Sequence, residues 1–181
     1  MKTMSLLRWS LVALVSTVAV TGLAANLPNV RIEFDNPKFF TDIRIHDFDE
    51  FRSADIFARE MTKALSPVVA KAAPGYTLVL HFTDIDLGGR YEPWKPQHSQ
   101  IRYNRQWLPL RMTFKYTLID SRGRTISQGS KSLSDTLFLG WSVGGSYWEN
   151  WDYLYFEKRA LVRWVGQNIR APYPGGEYSK G

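Results

Sequence analysis

YTLVLHFTDIDLGG, residues 76–89, begins as a half-buried strand and then breaks its own pattern. The period of two in a strand puts Leu78, Leu80 and Phe82 on one face and His81 on the other. Continued without interruption, that period places Asp84 and Asp86 on the apolar face as well. A carboxylate facing a core is costly unless it is paired, hydrogen-bonded or metal-bound. Three arrangements resolve the conflict. The strand ends or bulges at Thr83 and leaves the acids in a turn, where Asp bonds backbone amides; the acids join a buried charge network; or they contribute to a metal site. Asp-x-Asp alone is a poor metal signature, because a hard cation takes six or more oxygens.

On either side the chain is punctuated clearly. Leu110, Met112, Phe114, Tyr116 and Leu118 alternate with Arg111, Thr113, Lys115 and Thr117. The turn Asp120-Ser121-Arg122-Gly123-Arg124 leads into the polar, Ser-rich run Thr125–Leu133, so the two form a hairpin whose second strand is half exposed or at an edge. Upstream, Val30, Ile32 and Phe34 alternate with Arg31, Glu33 and Asp35 until Asn36-Pro37 stops the strand. Phe39–Phe51 is mixed and reads as irregular. A helix is expected from an N-cap at Ser53, with Ile56, Phe57, Met61, Ala64, Leu65 and Val68 on one stripe. Pro67, after Ser66, predicts a kink or a break into two helices. A last helix is expected over Asp152–Asn168. This order predicts an α+β fold: an antiparallel or mixed sheet of about four to five strands with helices packed on one face. Phe-Thr-Asp-Ile occurs at both Phe40–Ile43 and Phe82–Ile85, too short a match to argue duplication.

Within the last helix, Tyr153, Leu154, Ala160, Leu161, Trp164 and Val165 form an apolar stripe, and Glu157 sits inside it. A structural pair with an inward Arg, or a first-turn acid favoured by the helix dipole, accounts for it. Were Glu157 to meet Asp84 and Asp86, three carboxylates would demand a cation or raised pKa values. These are the only catalytic candidates, and they are weak ones. His46, His81 and His98 are scattered, there is no cysteine, and no nucleophile elbow, zinc-helix motif or phosphate loop is present. No metal site and no cofactor is assigned.

The N-terminus gives an address. Lys2 and Arg8 precede an uncharged apolar run, Trp9–Leu23, and Gly22-Leu23-Ala24 offers the small residues that a signal peptidase reads. Residues 1–24 are expected to be a cleaved signal peptide, residues 25–170 one α+β domain and residues 171–181 a flexible tail. The protein is then expected in the periplasm. Without cysteine it has neither a lipidated anchor nor disulfides, so packing alone must hold it. Losing Lys2 and Arg8 lowers the formal charge from +6 to +4, enough for weak attraction to polyanions. An exported chain with no dense basic run is a poor nucleic-acid binder, and membrane contact is expected to be peripheral at most.

Two connections carry the aromatic residues. Gly88–Pro109 interleaves Tyr91, Trp94, Tyr103 and Trp107 with Arg90, Lys95, Arg102 and Arg105, and Phe138–Trp151 adds Trp141, Tyr147, Trp148 and Trp151 among glycines. Such loops either fold back on the sheet as pins or stand out as binding platforms. In the second case Trp94, Trp107, Trp141 and Trp148 would offer flat faces to sugar rings or to a partner protein. Arg90, Arg102 and Arg105 would hold acidic groups on a glycan or a lipid headgroup.

Several of these segments together, Phe34-Asp35-Asn36-Pro37 with Phe40-Thr41-Asp42-Ile43, Thr83–Gly89, the strand at Arg111 and Phe156–Leu161, resemble a secreted bacterial family catalogued as domain of unknown function 3016. The resemblance spans about Val30 to Val165 and implies an envelope protein of Gram-negative bacteria, with no assigned activity. The expected function is that of an exported, non-enzymatic binding or accessory protein of the cell envelope. The alternatives are a carboxylate-based metal-dependent hydrolase on Asp84, Asp86 and Glu157, and an assembly protein that docks through the exposed strand Thr125–Leu133.

Overall fold

The period-two runs become strands and the helical stripes become helices. In the computed structural model, which describes residues 29–91, 94, 102–103, 108–135 and 154–172, β1 (Val30–Phe34) leads through a 3-10 turn at Pro37–Phe39 to α1 (Glu50–Ala72) and β2 (Thr77–Asp86). Two short strands follow, β3 (Arg90–Tyr91) and β4 (Arg102–Tyr103), then the long hairpin β5 (Leu110–Ile119) and β6 (Thr125–Asp135), and α2 (Tyr155–Asn168). Four strands form one mixed sheet in the order β1-β2-β5-β6, with β1 parallel to β2 and the other pairs antiparallel. Both helices pack on one face of it, which makes the fold α+β.

The core lies between sheet and helices. Leu78, Leu80, Phe82, Phe114, Leu118, Phe57, Met61 and Leu65 are all fully buried there. A chain of ring contacts crosses the layer, from Phe57 to Phe82 (5.3 Å between centroids), Phe82 to Phe114 (5.3 Å) and Phe114 to Trp164 (4.9 Å). Each of these side chains contributes roughly 2–3 kcal/mol by leaving water, before the entropy of ordering it is counted.

The conflict in the sequence at Asp84 is resolved by a β-bulge. Phe82 pairs with Phe114 and Asp84 with Thr113, so Thr83 is the extra residue on its strand. Past the bulge the phase is reversed. Ile85 pairs with Met112 and is buried, while Asp84 and Asp86, opposite Thr113 and Arg111, stand on the face away from the helices. The strand thus runs on to Asp86 rather than ending at Thr83. His81 lies on that same helix-free face, its Nε2 2.7 Å from Asp35 Oδ1 and its Nδ1 3.6 Å from Glu33 Oε2.

Two expectations for the first helix are corrected. Its N-cap is Asp49, whose carboxylate accepts the Arg52 N–H, and Ser53 is inside the first turn, buried, with its hydroxyl accepting the Ile45 N–H at 3.0 Å. Nor does Pro67 break it: α1 is continuous to Ala72. Pro67 and Lys63, four residues before it, are both exposed, so water can take the carbonyl that the missing N–H leaves free. The buried row Phe57, Met61, Leu65 and Val69 passes the proline undisturbed. The last helix begins at Tyr155 rather than Asp152 and runs alongside α1 in the same direction: Lys158 Nζ reaches Glu60 at 2.8 Å, and beyond the helix end the Ala171 N–H donates to Ala72 O.

This topology sorts the two ends of the molecule. β1 and β2 finish at one end; β5 starts and β6 finishes there, with Leu110 opposite Asp135, and α1 and α2 both start there. At the other end are the short connections before β2 and between β5 and β6, with Asn29, whose side chain donates to Ser66 O, and Ala171. The β5–β6 turn is held by Asp120, which accepts from the Arg122 and Arg124 N–H groups and from Arg124 Nε, with Gly123 at φ +78°.

Candidate functional site

All the long connections, between residues 34 and 50, 86 and 110, and 135 and 155, attach at the first end. Its foundation is built from the two Phe-Thr-Asp-Ile segments, which lie side by side. The Asp42 N–H donates to Ile85 O and the Leu87 N–H to Asp42 O, both at 2.9 Å, so Asp42 makes a parallel bridge to Asp86. Phe40 and Phe82 are buried, as are Ile43 and Ile85. Asp84 ties the copies together, accepting the Thr41 N–H at 2.7 Å and the Thr41 hydroxyl at 2.9 Å. Asp86 accepts the Gly88 N–H at 3.0 Å, the start of a turn in which Gly88 and Gly89 take φ +68° and +63°.

On this foundation sits Arg102. Its Nη1 donates to Asp42 Oδ2 and Gly88 O, both at 2.7 Å, and its Nη2 to Arg44 O at 2.6 Å and Asp42 Oδ1 at 3.4 Å. The guanidinium lies 4.7 Å over the ring of Tyr91, whose hydroxyl accepts the His46 N–H at 2.6 Å. His46 takes φ +52°, a conformation that costs a non-glycine residue roughly 1 kcal/mol and that this contact helps to hold. Burial works against the Arg102 charge, but the bond to Asp42 and its charge outweigh it, and the guanidinium pKa is raised above its ordinary value. Arg102 therefore pins the base of the β3–β4 pair to the end of β2.

Several aromatic residues are exposed at the same end. Among the described residues the large exposed hydrophobics are Phe39 (85%), Phe51 (49%), Trp94 (71%) and Tyr155 (51%). Phe39 lies just beyond β1, Phe51 and Tyr155 in the first turns of α1 and α2, and Trp94 just beyond β3, so all four are at this end. Lys38 Nζ stands 5.5 Å over the Phe51 ring, and the Arg52 guanidinium 4.1 Å over Phe48. Such cation–ring pairs hold aromatic faces in place at the surface.

Of the residues singled out from the sequence, Trp94 and Arg90 are exposed here, and Arg102 is the internal clamp just described. Trp107, Trp141, Trp148 and Arg105 lie outside the described residues. Asp84 and Asp86 are on the helix-free face of the sheet, whereas Glu157 is 5% exposed on α2, across the sheet from them. The sheet keeps the three carboxylates apart. Among the described residues no group of three or more His, Asp or Glu side chains is placed to hold a metal ion, and no helix is long and apolar enough to cross a membrane. Sequence reasoning missed Phe39, Phe51 and Tyr155. Asn36-Pro37-Lys38 ahead of Phe39 was the available signal, since Asn36 caps a turn that holds the next ring outward.

The model of the family described as "Protein of unknown function (DUF3016)" matches residues 28–167, and the chain belongs to this family. No curated protein and no solved structure is significantly similar to it.

Proposed function

We propose that this DUF3016 protein is an exported, non-enzymatic binding module of the cell envelope whose recognition surface is the aromatic end of the sandwich. The observation that carries the reading is the gathering of Phe39, Phe51, Trp94 and Tyr155 at the one end where every long connection attaches. Exposed apolar residues scattered singly need no explanation, but four large ones at the same end of the domain point to an interaction surface. The foundation itself performs no chemistry: Asp84 and Asp42 hold Thr41 and Arg102, and these bonds stiffen the platform. Export to the periplasm is supported by the basic start and uncharged apolar run of residues 1–24.

The test is tryptophan emission and acrylamide quenching of the protein spanning Ala25–Gly181, titrated with envelope glycan fragments, anionic lipid vesicles and divalent metal ions. A saturable shift with one ligand class, lost in Phe39→Ala and Trp94→Ala variants that unfold at the wild-type midpoint, is the expected result. Binding unchanged in both variants would remove the aromatic end from the mechanism.

A second reading, docking of a partner through β6, is favoured by a specific observation. Ser127 to Ser132 are exposed without a break, and among the described residues no strand pairs with the outer edge of β6. An eleven-residue edge without proline is a template for another extended chain.

A further inference from the structure

Beside β6 the helical layer stops short of the sheet. Trp164 of α2 rests on Phe114 and Tyr116 of β5, 4.9 and 5.2 Å between ring centroids, and of β6 only Leu133 packs against the core among the described residues. The result is a groove of about 440 Å³ bounded by Lys131, Leu133 and Asp135 of β6 and by Ala160, Arg163 and Gln167 of α2. Lys131 pairs with Phe114 and Leu133 with Met112, so both side chains project to the helix side and into the groove. Lys131 and Arg163 are exposed, and among the described residues neither is ion-paired. Two cations thus flank an apolar strip made by Leu133, Ala160 and the edge of Trp164.

We infer that this groove takes an acidic, extended segment of a partner protein, added to β6 as a fifth strand. The inference rests on the reading of β6 as a docking edge and names the partner's chemistry. The outer edge of β6, which no described strand covers, supplies main-chain hydrogen bonds that any sequence can use. The groove supplies the selection, since alternate side chains of an added strand point to one face. Lys131 and Leu133 are two residues apart on that face, so the preferred segment carries an acidic and an apolar residue two positions apart. A small anion is a poorer fit. The groove is open along its length and would leave such a ligand largely in water, whereas ligand pockets bury most of what they bind.

The probe is a fluorescein-labelled eleven-residue peptide of threonines with one glutamate and one leucine two positions apart, followed by polarisation against the protein spanning Ala25–Gly181. Amide-resonance mapping places the contact. Expected are saturable binding with shifts confined to β6 and residues 160–168, loss on alternate N-methylation of the peptide, and at least tenfold weakening in a Lys131→Glu, Arg163→Glu double variant with the wild-type urea midpoint. The two arms fail separately. Binding that survives N-methylation overturns strand addition, and with it the reading of β6 as a docking edge. Binding that needs the unmethylated backbone but is unchanged in the charge-reversed variant leaves that edge standing and overturns the acidic selection. No binding at millimolar peptide, or free glutamate and inorganic phosphate shifting the same residues as strongly, overturns the inference as a whole.

Discussion

Substituting Ile85 and Asp84 in turn tests the bulge at Thr83 and everything placed by it. If the period of two ran unbroken, Asp84 would face the core and Ile85 would face solvent. Ile85→Ala would then cost little, and Asp84→Leu would exchange a buried carboxylate for a buried leucine and gain stability. With the bulge the order reverses. Ile85 is fully buried opposite Met112, and its replacement by Ala removes three carbon atoms worth about 0.8 kcal/mol each in transfer. The cavity left between sheet and helices raises the cost to about 3–4 kcal/mol. Asp84→Leu loses two charge-assisted bonds from Thr41 at a partly wet site, about 1–2 kcal/mol. Urea unfolding of both variants, followed by far-ultraviolet circular dichroism with the slope held in common, measures the two differences. A stabilised Asp84→Leu protein, or an Ile85→Ala loss below about 1 kcal/mol, would refute the phase assigned to the strand.

Other consequences of the structure can be checked with the same assay. Gly88→Ala places a Cβ 2.8 Å from both Leu108 O and Leu110 N at a positive φ, whereas at Gly123 a Cβ meets only open space. Both variants bear the conformational cost of about 1 kcal/mol, and Gly88→Ala is expected to lose at least about twice as much as Gly123→Ala. Arg102→Ala leaves Asp42 without its cation and frees β3 and β4; a loss of about 2–4 kcal/mol and protease cleavage between residues 91 and 102 are expected, with Arg102→Lys recovering only part. The Glu60 carboxyl is held below its ordinary pKa of 4.5 chiefly by the hydrogen bond from Lys158. A depressed carboxyl contributes stability that is complete above its unfolded pKa and lost as the pH falls through the folded one. The gap between wild type and Glu60→Gln should therefore be about 0.5–1 kcal/mol at pH 7 and shrink progressively as the pH falls below 4.5.

What was legible in the sequence is what depends on period. Leu78, Leu80 and Phe82, the alternation from Leu110 to Leu118, and the stripes through Phe57, Met61 and Leu65 or Leu161, Trp164 and Val165 all become core. The ends of elements depend on contacts instead. Asp49 and Ser53 are both good capping residues, and what separates them is that the Ser53 hydroxyl is engaged by Ile45 across a loop. Pro67 reads as a break until it is known that its missing hydrogen bond faces water. Asp84 and Asp86 did announce a fault in the pattern; the bulge that cures it leaves no mark in composition. Least legible was the foundation of the site. Arg102 meets Asp42 across 60 residues and Thr41 meets Asp84 across 43, and no spacing rule reaches so far. Read as a ligand-holding arginine, Arg102 proves to be committed to its own chain.

The sorting of the two ends bears on how the protein can be held. Asn29 and Ala171 both sit at the end with the short turns, beside Ser66 and Ala72 and opposite the aromatic surface. A tether at either terminus, whether a membrane-bound leader or a tag on a sensor chip, acts as a handle on the back of the molecule. It turns Phe39 and Trp94 outward, toward whatever lies across the gap, and a linker at one terminus need not interfere with a second at the other.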